Sequence, residues 1–186
     1  GIAQNRYKKD LCNDFDVEDL SNYIKPERDL QFTYLGIKTA IDKYLTRDAL
    51  GQTFELPQHM FMMIAMFLAS KEKPKDKQQK AKDFYDVISK FEVMVATPTL
   101  SGARKIRSQL SSCFIGSAPD NIEGIFDSYK EMSLLSKFGG GIGWDWNEVR
   151  CRSSVIDNNV NAAGGTTPWL KITNDIAIAV DQLGTR

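Results

Sequence analysis

Cysteine and histidine are scarce in this chain. Its 186 residues include three cysteines (Cys12, Cys113 and Cys151) and one histidine (His59), and no two cysteines form a CxxC pair. So sparse a set excludes a zinc site, which needs four clustered thiolate or imidazole ligands. It also excludes a disulfide framework and is typical of a reducing compartment. We therefore expect a cytoplasmic protein in which any disulfide is transient and catalytic.

Neither sign of charge dominates, and long apolar runs are absent. Lysine plus arginine and aspartate plus glutamate number 24 each, so no net field attracts nucleic acid or an anionic membrane. The longest apolar run, residues 60–69, is too short to span a bilayer, and the polar first residues do not resemble a signal peptide. The lysine-rich run 71–83 has no interleaved aromatics and predicts a solvated loop and helix start. We expect no nucleic-acid partner and no membrane association.

Apolar residues recur at helical spacing through the first part of the chain. Stripes over 34–45 and 81–91 predict two amphipathic helices. Between them, Pro57 opens a segment, HMFMMIAMFLAS, that is apolar on every side and predicts a buried helix. Its methionines suit either a core or an adaptable binding surface, and core filling is favoured.

The periodicity changes after these helices. The β-branched stretch 92–97 and the stretch 109–116 predict two strands, and proline and glycine predict a loop over 98–107. The sequence therefore predicts a helical region over 1–91 and an α/β region over 92–186.

One cysteine lies within the second predicted strand. Because side chains alternate along a strand, Cys113 shares a face with Gln109, Ser111 and Ile115. A buried cysteine is usually only a small apolar side chain. This half-polar face is unusual for a core and favours a functional site.

Two helices and a glycine cluster follow this strand. Asp120, with Glu123 three residues later, predicts a capping box at a helix start, where N–H groups also suit a phosphate. The glycines of GGGIG (139–143) match neither the dinucleotide fingerprint nor a P-loop, and leave a backbone that another molecule can approach closely. Thr167 and Pro168 predict the start of the last helix.

Five segments match, in order and spacing, a known family. They are ATPTLSGAR (96–104), QLSSCF (109–114), DNIEGIFDSYKE (120–131), SKFGGGIG (136–143) and NDIAIAVDQLGTR (174–186). With them the chain resembles the large, catalytic subunit of ribonucleotide reductase. The resemblance implies an α/β fold, in which an N-terminal helical region precedes the first strands and helices of a ten-stranded α/β barrel. It also implies a ribonucleoside-diphosphate reductase, which makes deoxyribonucleotides for DNA synthesis by radical chemistry.

The resemblance assigns chemistry to the residues around Cys113. Cys113 matches the redox cysteine that supplies electrons to the ribose and forms a disulfide with a cysteine beyond residue 186. Thr97, Ser112, Cys113 and Gly141 match positions that bind the nucleotide substrate. Small hydroxyls and a bare glycine backbone suit phosphate and ribose, since they add donors without filling the pocket.

A second set of residues matches the family's site for the specificity effector. The effector is ATP or a deoxynucleoside triphosphate, and the matching residues are Asp120, Asn121, Ile122, Lys137 and Arg150. An aspartate there accepts from a sugar hydroxyl, and the two basic residues lie near the effector phosphates.

The resemblance also implies partners. Helices near 120–136 and 168–183 are expected to pack against their copies in a homodimer. A separate small subunit is expected to generate the radical with its metal cofactor, and thioredoxin or glutaredoxin to supply electrons. No metal and no cofactor are expected in this chain itself.

The chain is expected to be an N-terminal fragment, inactive by itself, because the family's radical cysteine lies beyond residue 186. Two alternatives remain open. One is an adenosylcobalamin-dependent reductase, which shares several of these motifs. The other is a non-catalytic nucleotide-binding dimerisation module from a split gene.

Overall fold

The computed structural model describes residues 6–106, 108–137 and 139–183. The chain divides between Leu110 and Ser111 into two units. The first unit is built of helices, and the second combines two strands with two helices. The boundary predicted after residue 91 falls inside the first unit, and a domain boundary there stays a prediction.

The helices of the first unit include all those that apolar periodicity predicts. In chain order they are α1 (Val17–Tyr23), a 3₁₀ helix (Pro26–Gln31), α2 (Tyr34–Thr39) with a π-helical continuation (Ala40–Tyr44), α3 (Pro57–Ala69), α4 (Lys77–Ser89) and α5 (Thr97–Gly102). The three predicted helices are thereby confirmed as α2, α3 and α4. Helix α1, which the Asp16 side chain caps, has only seven residues, too few to show a periodic stripe.

Helix α3 forms the centre of the first hydrophobic core. Pro57 lies in its first turn, where a missing N–H has no helical partner to lose. Tyr85 of α4 is fully buried and donates to Gln58 of α3 at 2.8 Å. The prediction that methionines fill the core is confirmed by three buried side chains, those of Met60, Met62 and Met66.

The strand predicted over 92–97 is wrong. The backbone N–H groups of Glu92 and Val93 both donate to the carbonyl of Val87, at 3.0 and 3.1 Å. Phe91 has a φ of 60°, in the left-handed region where helices commonly end. This turn closes α4 and uses the donors that a strand would pair, so it overrides the β-branched composition.

The loop predicted over 98–107 is wrong at its start, where α5 lies instead. Proline and glycine are local signals for a loop, but Pro98 lies in the first turn of α5, where it fits a helix. Leu100 is buried and packs into the first core, which supplies the tertiary contact that stabilises so short a helix.

A buried ion pair lies directly after the end of α5. The guanidinium of Arg104 binds the carboxylate of Glu55, and the two side chains are 0% and 1% exposed. Arg104 also donates to the carbonyls of Leu100 and Tyr44, at 2.6 and 2.8 Å. Because a buried charge is stable only when it is paired and hydrogen-bonded, this arrangement fixes α5 against the end of the π-helical segment.

The second unit is a β–α–β arrangement followed by a long helix. Its elements are β1 (Cys113–Ser117), α6 (Ile122–Lys137), β2 (Gly141–Asp145) and α7 (Thr167–Leu183). The strands are parallel, so they need a crossover between them, which α6 provides. A helical region followed by parallel strands and helices is the fold class that the sequence predicts.

The strand predicted over 109–116 is confirmed only in its second half, as β1. Strand β2 occupies part of the glycine cluster, which local sequence signals did not mark as a strand. Glycine is generally disfavoured in strands because it has no side chain to pack. Here the partner strand supplies the pairing that composition does not indicate.

Asn121, and not Asp120, caps α6. The Asn121 Oδ1 accepts from the backbone N–H of Gly124 at 2.8 Å, which is the usual cap bond to the third helical residue. The predicted capping box of Asp120 with Glu123 is therefore wrong. The carboxylate of Asp120 instead receives charge-assisted hydrogen bonds from Arg150.

The lysine-rich run 71–83 begins with exposed residues over 71–75, and two of its later lysines form ion pairs. Lys77 pairs with Asp14, and Lys82 pairs with Asp19 at 2.7 Å. Among the helices of the described residues, none combines the length and apolarity that crossing a membrane requires.

Candidate functional site

Strand pairing brings three of the predicted substrate residues together. Cys113 at the start of β1 lies opposite Gly141 at the start of β2. The Cys113 Sγ lies 3.5 Å from the Ser112 Oγ, and the Gly141 N–H donates to the Ser112 carbonyl at 2.6 Å. A thiol, a hydroxyl and a bare glycine backbone therefore share one end of the parallel pair.

The glycine at this point leaves open space beside the thiol. A Cβ added at Gly141 would lie 3.9 Å from the Cys113 Sγ and 3.2 Å from the Ser112 carbonyl oxygen. Cys113 is exposed, and exposed and partly buried residues alternate along β1. The predicted face shared by Cys113 and Ile115 is confirmed, and it is the exposed face.

The opposite face of the pair is packed by aromatic rings against glycines. A Cβ at Gly116 would come within 2.4 Å of the Trp144 ring, and one at Gly140 within 2.6 Å of the Phe114 ring. No side chain larger than hydrogen fits either place without displacing a ring. These contacts fix the strand orientation, so that Cys113 points away from the packed face.

Thr97, the fourth predicted substrate residue, belongs to the first unit and is the first residue of α5. Its side chain is exposed, and its Oγ1 lies 3.5 Å from the hydroxyl of Tyr44. Tyr44 was not identified from the sequence as a site residue, because its spacing predicts only a place on the apolar face of a helix.

Four of the five predicted effector residues line one cavity of about 290 Å³ in the second unit. They are Asp120, Asn121, Ile122 and Arg150. The Asp120 carboxylate accepts from the Arg150 Nε at 2.8 Å and from its backbone N–H at 3.2 Å. The glycines Gly164 and Gly165 form another wall, and the sequence signal for them was the Gly-Gly-Thr-Thr-Pro stretch before α7.

Lys137, the fifth predicted effector residue, lies elsewhere. It is the last residue of α6, and Asn121 caps the first turn of the same helix. The 16 residues of α6 span about 24 Å at 1.5 Å per residue. Within one chain, Lys137 is therefore not part of the cavity that contains Arg150.

Helices α6 and α7 pack against each other. The hydroxyl of Tyr129 on α6 donates to the carbonyl of Trp169 on α7 at 2.8 Å, and burial raises the pKa of this tyrosine. Both helices also carry large apolar side chains that stay exposed. These are Ile122, Phe126 and Leu134 on α6, and Leu170, Ile172 and Ile178 on α7.

The side chains in the described parts of the chain (6–106, 108–137 and 139–183) form no cluster of three or more metal-ligand residues. The three cysteines are free thiols. The chemistry of the candidate site therefore depends on one exposed thiol, small hydroxyls, and a carboxylate paired with a guanidinium.

Two family models match the chain, and they meet near the division between the two units. The model described as "Ribonucleotide reductase, all-alpha domain" matches residues 30–108. The model described as "Ribonucleotide reductase, barrel domain" matches residues 111–186.

Curated relatives match almost the whole chain. The alpha subunit of ribonucleoside-diphosphate reductase from Helicobacter pylori (strain 26695) is 64% identical over 181 residues, which cover 97% of this chain and 23% of the relative. The alpha subunit from Treponema pallidum is 44% identical over 92% of this chain and 20% of the relative. The large subunit from Variola virus is 34% identical over 95% of this chain and 22% of the relative. The chain thus spans less than a quarter of the length of these relatives.

Proposed function

Because the chain belongs to the large-subunit family of the ribonucleotide reductases, we propose that it is part of a ribonucleoside-diphosphate reductase. In the proposed reaction the ribose C–OH bond breaks and a C–H bond forms. Two thiols of the subunit become a disulfide, and their two hydrogens leave as the new C–H hydrogen and as part of one water. An external dithiol then reduces the disulfide.

Cys113 supplies one of the two thiols in this proposal. Its exposure and its place opposite Gly141 support the role, because a redox thiol must reach both the substrate and a second cysteine. The contact between its Sγ and the Ser112 Oγ gives the sulfur a hydrogen-bonding neighbour. The juxtaposition of Cys113, Ser112 and Gly141 is the observation that carries the proposal.

The substrate is a ribonucleoside diphosphate, bound by Thr97, Ser112 and Gly141. The hydroxyls of Thr97 and Ser112 are exposed, and hydroxyls donate to phosphate and ribose oxygens while occupying little volume. At Gly141 the backbone allows close approach, because it carries no Cβ.

The effector is ATP or a deoxynucleoside triphosphate, bound in the cavity that Asp120, Asn121, Ile122 and Arg150 line. A carboxylate suits a sugar hydroxyl, and a guanidinium suits a phosphate. Since Lys137 lies at the far end of α6, it joins this site only as Lys137 of the partner subunit.

The proposed assembly is a homodimer that works with a separate radical-generating subunit. Exposed apolar side chains on α6 and α7 support dimerisation, since patches of this kind mark protein interfaces. The small subunit holds the metal-radical cofactor, and thioredoxin or glutaredoxin supplies electrons in the cytoplasm.

Turnover of the complete subunit tests the proposal. The subunit that contains this chain would be assayed with its small subunit, cytidine diphosphate and a dithiol, and deoxycytidine diphosphate would be measured over many turnovers. Cys113→Ser is expected to stop multiple turnover, since it removes the redox sulfur. Cys151→Ser is the matched control, because Cys151 is also an exposed free thiol of the second unit. Normal turnover in Cys113→Ser would contradict the proposal.

A further inference from the structure

We propose that Tyr44 is a positioning residue for substrate binding, which acts by orienting the hydroxyl of Thr97. The inference rests on the proposed function, in which Thr97 contacts the nucleotide. The hydroxyls of Tyr44 and Thr97 lie 3.5 Å apart, and the two residues are 53 positions apart in sequence. Tyr44 ends the π-helical segment, and Thr97 begins α5.

The direction of the hydrogen bond between the two hydroxyls matters for binding. A phosphate oxygen only accepts hydrogen bonds, so Thr97 must keep its own proton for the substrate. When the Tyr44 hydroxyl donates to the Thr97 Oγ1, the threonine proton points away from Tyr44. A chain from Tyr44 through Thr97 to the phosphate results, and each bond in such a chain polarises the next. Bonds of this kind are often long before substrate binds and tighten on binding.

Tyr44 is held rigidly enough for this role. Its carbonyl accepts from the Arg104 guanidinium at 2.8 Å, and the same guanidinium donates to the carbonyl of Leu100 at 2.6 Å. One buried cation therefore joins the backbone that carries Tyr44 to the helix that begins with Thr97. The Glu55 carboxylate fixes that cation and also accepts from the backbone N–H of Thr46 at 2.5 Å. The buried pair thus fixes the backbone of Tyr44 relative to the helix that begins with Thr97.

A double-mutant cycle in the complete subunit tests the inference. Tyr44→Phe, Thr97→Val and the double variant would be assayed with the small subunit, and kcat and KM for cytidine diphosphate would be measured. The dissociation constants of cytidine diphosphate and of cytidine would be measured in parallel. Tyr34→Phe is the matched control, because Tyr34 begins the same helix and its side chain is 81% exposed. Circular dichroism and thermal unfolding would establish that each variant folds.

Tyr44→Phe is expected to raise KM for cytidine diphosphate by about two- to tenfold, the range of one hydrogen bond, with kcat nearly unchanged. Cytidine binding should not change, since it has no phosphate. The double variant should match Thr97→Val alone, and Tyr34→Phe should match the wild type.

Other outcomes overturn the inference in distinguishable ways. If Thr97→Val raises KM but Tyr44→Phe does not, the positioning role fails and the proposed function stands. If the two effects multiply in the double variant, Tyr44 does not act through Thr97, and the inference fails. If Thr97→Val leaves KM unchanged, the substrate role of Thr97 fails and the inference fails with it, whereas the Cys113 variant tests the reductase activity separately.

Discussion

The carboxylate of Asp120 accepts two hydrogen bonds from Arg150, one from the guanidinium Nε at 2.8 Å and one from the backbone N–H at 3.2 Å. The two residues are 30 positions apart and join the start of α6 to the segment after β2. Because Asn121 caps α6, the Asp120 carboxylate is not needed as a helix cap. It pairs with Arg150 and lines the adjoining cavity. Changes at Asp120 therefore test the effector site without removing the helix cap.

Asp120→Asn is expected to weaken effector binding by roughly tenfold or more, the scale of one hydrogen bond to a charged group. It should also weaken effector-driven dimerisation, because a ligand stabilises the state that binds it better. Equilibrium binding of dTTP and analytical ultracentrifugation of the complete subunit would measure both effects. Glu148→Gln is the control, because Glu148 is exposed, lies in the same unit and does not line the cavity. Unchanged affinity in Asp120→Asn, Arg150→Ala and Lys137→Ala would place the effector site elsewhere.

Gly141→Ala is expected to raise KM for the nucleotide by roughly tenfold or more, since one methyl group changes recognition on that scale in a close-fitting pocket. The new Cβ would lie 3.2 Å from the Ser112 carbonyl oxygen, so the backbone beside Cys113 must shift. Gly143→Ala is the control on the same strand, because its Cβ would meet only the Ile115 Cγ2 at an ordinary 3.7 Å. Steady-state kinetics would compare the two variants. Equal KM values would exclude close substrate approach at Gly141.

Local sequence signals predict those parts of the fold that local interactions determine. Helix α3 is an example, since its proline start and continuous apolar run need no distant partner to be recognised. Helix α5 could not be predicted, because the Glu55–Arg104 pair that holds its end joins residues 49 positions apart. Strand β2 was missed for the same reason, as its pairing with β1 is non-local.

The same distinction between local and non-local interactions applies to the candidate site. That Cys113 and Ile115 share a face was visible in the alternation of one strand, whereas Gln109 and Ser111, which made the predicted face half-polar, lie before β1. That Gly141 lies opposite Cys113, and that Asp120 pairs with Arg150, depends on the register of β1 with β2 and on the path of the chain after β2. Periodicity carries no information on either, so these positions were assigned only through the resemblance to a family.

The carboxylate of Asp86 makes stability depend on pH. Burial acts to raise the pKa of Asp86, but hydrogen bonds from Arg28 and Tyr23 outweigh burial and lower the pKa below its ordinary value. A lowered folded-state pKa means that the carboxylate stabilises the fold fully above the unfolded pKa of about 3.9. That stabilisation is lost as the pH falls through the lower, folded-state pKa.

Asp86→Asn is therefore expected to lower Tm at about pH 7, and the difference from the wild type should shrink below about pH 4. Thermal unfolding at several pH values, followed by circular dichroism, would measure this. Asp83→Asn is the control on the same helix, since its carboxylate is 45% exposed and pairs with Lys80 at 3.5 Å. A Tm difference for Asp86→Asn that stays constant from neutral to acid pH would show that charge is not the cause.

Removing one partner of the buried pair of Glu55 and Arg104 should destabilise the first unit much more than removing one partner of an exposed pair. Arg104→Ala leaves the Glu55 carboxylate buried without its cation, and the loss of one partner of a buried pair costs about 3–5 kcal/mol of unfolding free energy. Lys38→Ala removes one partner of an exposed pair, whose side chains are 56% and 48% exposed, and should change stability little. Urea denaturation followed by circular dichroism would compare the two variants. The double variant Glu55→Leu with Arg104→Met should recover much of the loss, because no charge then remains buried. If Arg104→Ala destabilises no more than Lys38→Ala, the pair does not hold α5 in place.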